Sequence, residues 1–254
     1  MIIDTHSHYN LDPFWSEWHT HWEKAQSCGV TQSIVVGVNG ETSQRAVTLA
    51  QSNHDLFAAI GYHPTEKENV DIDTLETLLP NKKIVAIGET GIDYFHSKEN
   101  IDVFEQKNHF ALHIHLAKKY SLPLIIHCRD TSEQAYWDVL EILDKEKFSG
   151  KFILHCVSGP LAYIQKAVTM GAYFGMAGNM TYKNSEHLRD IVRAIPKDRL
   201  LLETDAPFLP PQEFRGKICE PWMITQTAEY VTQQLGLELE QLYQNSQEVF
   251  GLLP

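Results

Sequence analysis

Ile2-Ile3-Asp4-Thr5-His6-Ser7-His8 opens the chain almost at its first residue. Ile2 and Ile3 read as a buried strand, with no helical period. The strand ends in His-x-His. Side chains two apart on a strand share a face, so the imidazoles of His6 and His8 converge on one point beyond its end. Neutral imidazole is a ligand suited to zinc, manganese, iron or nickel. The pair alone is equally at home as hydrogen-bonded core or surface. Its meaning depends on what arrives at equivalent places further along.

The same unit recurs: an apolar strand, a ligand-type residue, a helical stretch. Further strands are expected at residues 32–38, 56–60, 83–87, 122–126, 151–154, 172–176 and 200–202. Helices are expected at 14–28, 41–53, 71–79, 103–120, 132–147, 161–170, 185–194, 222–235 and 238–250. In the first of these, Trp15, Trp18 and Trp22 form a core stripe, with His19 and His21 on the surface. Eight strands alternating with helices over 254 residues is the arithmetic of an α/β (β/α)8 TIM barrel, with its active site at the C-terminal ends of the strands. No linker or repeat interrupts it, so residues 1–254 read as one domain. A doubly wound sheet is the competing fold, but it normally carries a Gly-rich phosphate loop after its first strand, and none is present.

Composition narrows the function. The chain is 43% hydrophobic and 21% charged, ordinary for a globular enzyme. No apolar run approaches the roughly 20 residues of a spanning helix, so no membrane association is expected. Cys28, Cys128, Cys156 and Cys219 form no CxxC pair, which points to a reducing, cytoplasmic setting. A formal net charge of −12 excludes coating nucleic acid through a broad basic surface. A polyanionic substrate would have to be held by metal and a few local cations. No obligate protein partner is evident.

Polar residues end strands one, three, four, five, six and eight: His6 and His8, His63, Glu89, His127, His155 and Asp205. Each alone has an ordinary reading as a satisfied strand end or a helix N-cap. Six at equivalent positions point to a metal centre. With His63 set aside, four imidazoles and two carboxylates exceed one tetrahedral site with an open position. They suit two metals, with one carboxylate bridging. Glu89, from the middle of the strand order, is the natural bridge. His6, His8 and Asp205 would hold one metal, since strand one closes against strand eight. His127 and His155 would hold the other. Asp205 can also take a proton from an attacking water.

These segments resemble the TatD-related deoxyribonucleases. The matching stretches are DTHSH at 4–8, GYHP at 61–64, GETGIDY at 88–94, HCR at 127–129, HCVSG at 155–159, ETDAPFLPP at 203–211 and RGK at 215–217. The resemblance covers essentially the whole chain. It implies a hydrolase dependent on two divalent ions, magnesium, manganese or zinc, that cuts phosphodiester bonds in DNA. Trimming of single strands or ends from the 3′ side is the activity implied. The ligands it carries over are His6, His8, Glu89, His127, His155 and Asp205, while His63, Asp93, Arg129 and Glu203 correspond to residues lining the site. Val157 and Cys219 depart from the family pattern, at places expected to border the substrate groove.

Supporting residues follow. Arg129 can present its planar fork to a phosphate or pair with Asp130 or Glu133. Arg215 and Lys217 lie in the loop after strand eight, a barrel region that often holds phosphate. His63 can bind phosphate or steer a leaving group, and His96 can touch substrate. Glu203 is expected to face away from Asp205, with the task of orienting a neighbour. His109, His113 and His115 lie on one helix outside the barrel, where solvent exposure is expected. The alternative function is a barrel metallohydrolase of small esters, lactones or amides. Short loops around the site favour an open cleft that admits a strand.

Overall fold

The computed structural model describes residues 1–66, 70–96 and 102–252. Eight parallel strands form one sheet in sequence order. They are β1 (Ile2–Ser7), β2 (Val30–Val36), β3 (Leu56–Ile60), β4 (Ile84–Asp93), β5 (Leu124–Arg129), β6 (Phe152–Leu154), β7 (Tyr173–Met176) and β8 (Leu200–Leu202). The long crossovers that parallel pairing requires are supplied by α1 (Trp18–Ser27), α2 (Gly40–Ser52), α3 (Ile72–Leu78), α4 (Val103–Tyr120), α5 (Gln134–Lys145), α6 (Leu161–Thr169) and α7 (Glu186–Ala194). The last helices are α8 (Ile224–Leu235) and α9 (Leu239–Phe250).

The seam closes between β1 and β8. Thr5 Oγ1 donates to the Leu202 carbonyl (3.0 Å). Just beyond the strand ends, the Asp205 amide donates to His6 (2.9 Å) and the His8 amide to Ala206 (2.9 Å). The fold is therefore a TIM barrel.

Two apolar layers hold it. Inside, Ile3, Ile34, Ala59, Val85, Ile125, Ile153, Tyr173 and Leu201 represent the eight strands, and Tyr243, Val249 and Phe250 of α9 join the same cluster. Helix α9 packs on β1 and β8 and covers one end of that inner core. The outer layer joins strands to helices. Trp18 and Trp22 are buried in it, while Trp15 is half-buried under Arg45.

Strand β4 differs most from expectation. Its expected end is Ile87, yet the strand continues to Asp93 with every residue buried. Gly91 permits this: its φ is +140°, and a Cβ there would lie 2.1 Å from the His127 carbonyl oxygen. The close approach puts Glu89 and Asp93 within reach of His127. The first helix also starts later than expected, after a 3-10 turn at Trp15–Glu17. No helix among the described residues is long and apolar enough to cross a membrane.

Candidate metal centre

The structure brings all six expected ligands together at the C-terminal ends of the strands. His8 is fixed from behind: its Nδ1 donates to the Val36 carbonyl (2.8 Å), so in the neutral ring Nε2 carries the lone pair a metal would take. That Nε2 lies 3.2 Å from His6 Nε2. Asp205 Oδ1 sits 3.3 Å from His8 Nε2 and 3.8 Å from His6 Nε2. The second group forms around His127 and His155, with His127 Nδ1 3.2 Å from His155 Nε2. The rings of His6 and His155 stack at 4.2 Å.

Glu89 joins the two groups through different oxygens. Its Oε2 lies 3.3 Å from His6 Nε2 and 3.8 Å from His8 Nε2. Its Oε1 lies 2.8 Å from His155 Nε2 and 3.0 Å from His127 Nδ1. His63 reaches the same oxygen. Its Nδ1 accepts from the Thr65 amide (3.2 Å), so Nε2 donates to Glu89 Oε1 at 3.3 Å. His63 thus serves the carboxylate as well as the cleft wall.

A ring of carboxylates stands behind the imidazoles. Asp93 Oδ2 contacts His127 Nε2 (3.1 Å) and His96 Nδ1 (2.8 Å). Gln106 grips the Asp93 backbone at both its amide and its carbonyl. Glu203 departs from expectation. Residues two apart on an extended chain share a face, and although β8 ends at Leu202 and Asp205 has a left-handed φ of 55°, both carboxylates face the cluster. Glu203 Oε1 accepts from the Cys156 amide (2.6 Å) and lies 3.8 Å from His155 Nδ1. Gly175 makes room for it, since a Cβ there would meet Glu203 Oε2 at 2.0 Å.

The electrostatics are those of buried carboxylates held ionised by the imidazoles around them. Burial works against ionisation at Glu89, but His155 and His63 outweigh it and hold the carboxyl well below its usual range. Burial likewise opposes charge on His127, yet the Asp93 and Glu89 carboxylates lift it to about 9. His6 is pushed down to about 4 by burial and by His155. Burial raises Glu203 to about 7.

This donor set fits divalent metal. With Nδ1 committed to Val36, a neutral His8 offers Nε2 to a metal, and two imidazole nitrogens 3.2 Å apart between two carboxylates form the cage a cation occupies. Ligand atoms of His6, His8 and Asp205 lie within 4.8 Å of one another, as do those of His63, Glu89 and His127.

Other expected contacts fare differently. The cluster opens into a cleft of about 1150 Å³, whose wall includes Arg129 and Lys217. Arg129 is exposed, with its guanidinium 4.3 Å over the Phe95 ring. Arg215 lies 4.7 Å over the Tyr182 ring instead, and its loop meets the cleft through Gly216 and Lys217. Val157 and Cys219 are buried and are not among the residues that line the cleft. His113 is buried, not exposed: its Nδ1 donates to the His109 carbonyl (2.8 Å) and its Nε2 accepts from the Tyr62 amide (3.0 Å), which steadies the chain next to His63.

Two residues given no role by the sequence reading support the site. Asp4 is buried; its Oδ1 accepts from the Thr204 amide (2.9 Å) and its Oδ2 from the Thr204 hydroxyl (2.7 Å). Asn10 Nδ2 donates to the Val36 and Thr42 carbonyls. Asp4 precedes a His-x-His pair at a strand end, and a carboxylate inside such a strand was the available signal.

With this geometry in view, likeness to known proteins becomes decisive. The family profile described as TatD related DNase matches residues 3–253. The chain belongs to the TatD-related DNase family. The metal-dependent hydrolase YabD of Bacillus subtilis is 35% identical over 246 residues, covering 95% of this chain and 94% of that protein. YcfH of Escherichia coli, another metal-dependent hydrolase, is 36% identical over 207 residues, or 81% and 76% of the two chains. The crystal structure of YjjV, a TatD homolog from Escherichia coli, superposes with a TM-score of 0.90 at 27% identity, covering 99% of this chain and 98% of that one. This TatD-family chain is accordingly a metal-dependent hydrolase, and its His, Asp and Glu clusters fit divalent metal binding.

Proposed function

We propose that this TatD-family chain is a two-metal nuclease that hydrolyses phosphodiester bonds in DNA, trimming single strands or ends from the 3′ side. The observation that carries the two-metal reading is the division of Glu89. One carboxylate oxygen faces His6 and His8, and the other faces His127 and His155. A carboxylate shared in this way is what a bridging ligand requires. His6, His8 and Asp205 would hold one ion, His127 and His155 the other, with Glu89 common to both. When bound, such a pair acidifies water and neutralises phosphate charge.

The protein's own part is positional. Asp205, beside His8, accepts the proton released by the attacking water. Arg129 and Lys217 on the cleft wall supply the local cations that an acidic protein needs to hold DNA. Asp93 and Glu203 keep His127 and His155 in place. The open cleft of about 1150 Å³ suits a polymer better than an enclosed small-molecule pocket does. The four cysteines are unpaired, which supports a reducing, cytoplasmic setting.

The test uses one oligodeoxynucleotide labelled at its 5′ end, metal-stripped protein, and added magnesium, manganese or zinc. The expected result is a ladder shortening from the 3′ end, abolished by chelator and in a His127→Ala plus Asp205→Ala variant. Absence of cleavage with every metal, with turnover of a lactone or a simple phosphate ester instead, would overturn the nuclease reading.

A further inference from the structure

The cleft carries two exposed phenylalanines that the metal chemistry does not use. Phe95 is 47% exposed and Phe208 is 52% exposed. Among the large apolar side chains exposed in the described residues, these two line the cleft. Scattered surface apolar residues need no explanation, but two aromatic rings open to solvent beside a buried charged cluster do.

Their placement is set by topology. Phe95 follows β4 and Phe208 follows β8. In a ring of eight strands running in order, β4 and β8 stand opposite each other. Phe208 packs edge-on beside His8 (6.1 Å between centroids), and its amide is tied to the Asp205 carbonyl (2.8 Å). Phe95 meets His96 edge-on (4.7 Å), and His96 is joined through Asp93 to His127. The two rings therefore flank the cluster, each anchored to one of its halves. Each also has a cation on its side of the cleft: Arg129 stacked on Phe95, and Lys217 in the loop that follows Phe208.

We propose that Phe95 and Phe208 are stacking platforms for unpaired nucleobases on either side of the scissile phosphate, and that they make the centre select strands whose bases are free to splay. The proposal rests on the phosphodiesterase reading above. Aromatic rings alternating with cations are the pattern that holds a single strand, because every base has a π face and every link carries a phosphate. Paired bases cannot leave their stack to meet such rings without the cost of opening the duplex. Arg129 is then a support for the Phe95 ring as much as a phosphate contact.

The experiment compares kcat/KM on a single-stranded oligodeoxynucleotide with kcat/KM on methyl p-nitrophenyl phosphate, a diester with no base. The ratio is measured for the wild-type enzyme and for Phe95→Ala, Phe208→Ala, Phe95→Tyr and Phe208→Tyr. Both side chains are exposed, so the alanine variants should fold. Each alanine variant should lower the ratio roughly 5- to 150-fold, which corresponds to the stacking energy of about 1–3 kcal/mol per base. The tyrosine variants should retain it. A strand with an abasic site at the terminal positions should show the same loss on wild-type enzyme. Ratios unchanged within twofold in both alanine variants, on an enzyme that still cuts DNA, would overturn this proposal alone. Failure of the wild-type enzyme to cut any oligonucleotide would overturn it together with the nuclease reading.

Discussion

Asp4 at the start of the chain holds Thr204 near its end with both carboxylate oxygens, 2.9 Å from the amide and 2.7 Å from the hydroxyl. This contact fastens β1 to the segment after β8. It sets His6 and Asp205 side by side, where the Asp205 amide meets the His6 carbonyl. Removing the Asp4 carboxylate takes the acceptor from the buried Thr204 and His6 amides and leaves the Thr204 hydroxyl only the more distant His6 carbonyl. Asp4→Ala should therefore destabilise the metal-stripped protein by about 2–4 kcal/mol. Asp4→Asn, which keeps one acceptor, should cost about half as much. Urea midpoints for the two variants check this, and equal midpoints for Asp4→Ala and wild type would remove Asp4 from the seam.

Glu89 is expected to matter to both metal positions at once, because its two oxygens face different histidine groups. Glu89→Ala should lower bound metal at both positions and reduce activity by more than the roughly 10–100-fold that losing an outer partner costs. The circular dichroism spectrum should remain that of the barrel. Metal content by elemental analysis gives the reading. Loss of one ion with the other fully retained would contradict the bridging role.

Asp93 touches His127 at the nitrogen opposite the one that faces Glu89. A carboxylate in that position fixes the ring and its tautomer. Asp93→Asn should weaken metal binding about 10–100-fold, measured by competition with a chromophoric chelator. His96→Ala, which removes only the outer partner of Asp93, should weaken it far less. Equal losses in both variants would show that Asp93 works through His96 rather than through His127.

The loop after β8 separates two cations that look equivalent in sequence. Lys217 borders the cleft, whereas Arg215 lies over Tyr182. Lys217→Ala should raise KM for DNA severalfold and reduce the slope of log KM against log salt by about 0.7. Arg215→Ala should change neither. A salt slope altered by Arg215→Ala but not by Lys217→Ala would reverse the assignment.

What the sequence made legible was whatever repeats with the strand. Apolar runs each ending in a ligand-type residue revealed the barrel and the convergence of His6, His8, Glu89, His127, His155 and Asp205. What stayed hidden was set by local exceptions to that repeat. The strand before Glu89 is expected to end at Ile87, yet Gly91 lets β4 run on against β5 as far as Asp93. Glu203 was not hidden by such an exception: it stands two residues from Asp205, as His6 does from His8, and that spacing places both on one face. Arg215 and Lys217 are two residues apart in a loop, where no periodicity says which one faces the cleft. His113 is one of three histidines on its helix, and nothing in their spacing says which ring meets the Tyr62 amide and the His109 carbonyl.

His113 has a consequence for acid stability. Burial lowers its pKa from 6.5 to about 4, so the folded protein keeps this ring neutral while the unfolded chain protonates it. Below pH 6.5 the unfolded state binds the extra proton, and stability falls as pH drops until the folded form also protonates near pH 4. The gap between 6.5 and about 4, at 1.36 kcal/mol per pH unit, amounts to roughly 3 kcal/mol. His113→Gln carries an amide that does not titrate, so its stability should lack this component. Urea unfolding of the two metal-stripped proteins from pH 7 to pH 4 measures it as the difference between their slopes. Parallel curves would mean that His113 is not the group that couples acid to unfolding.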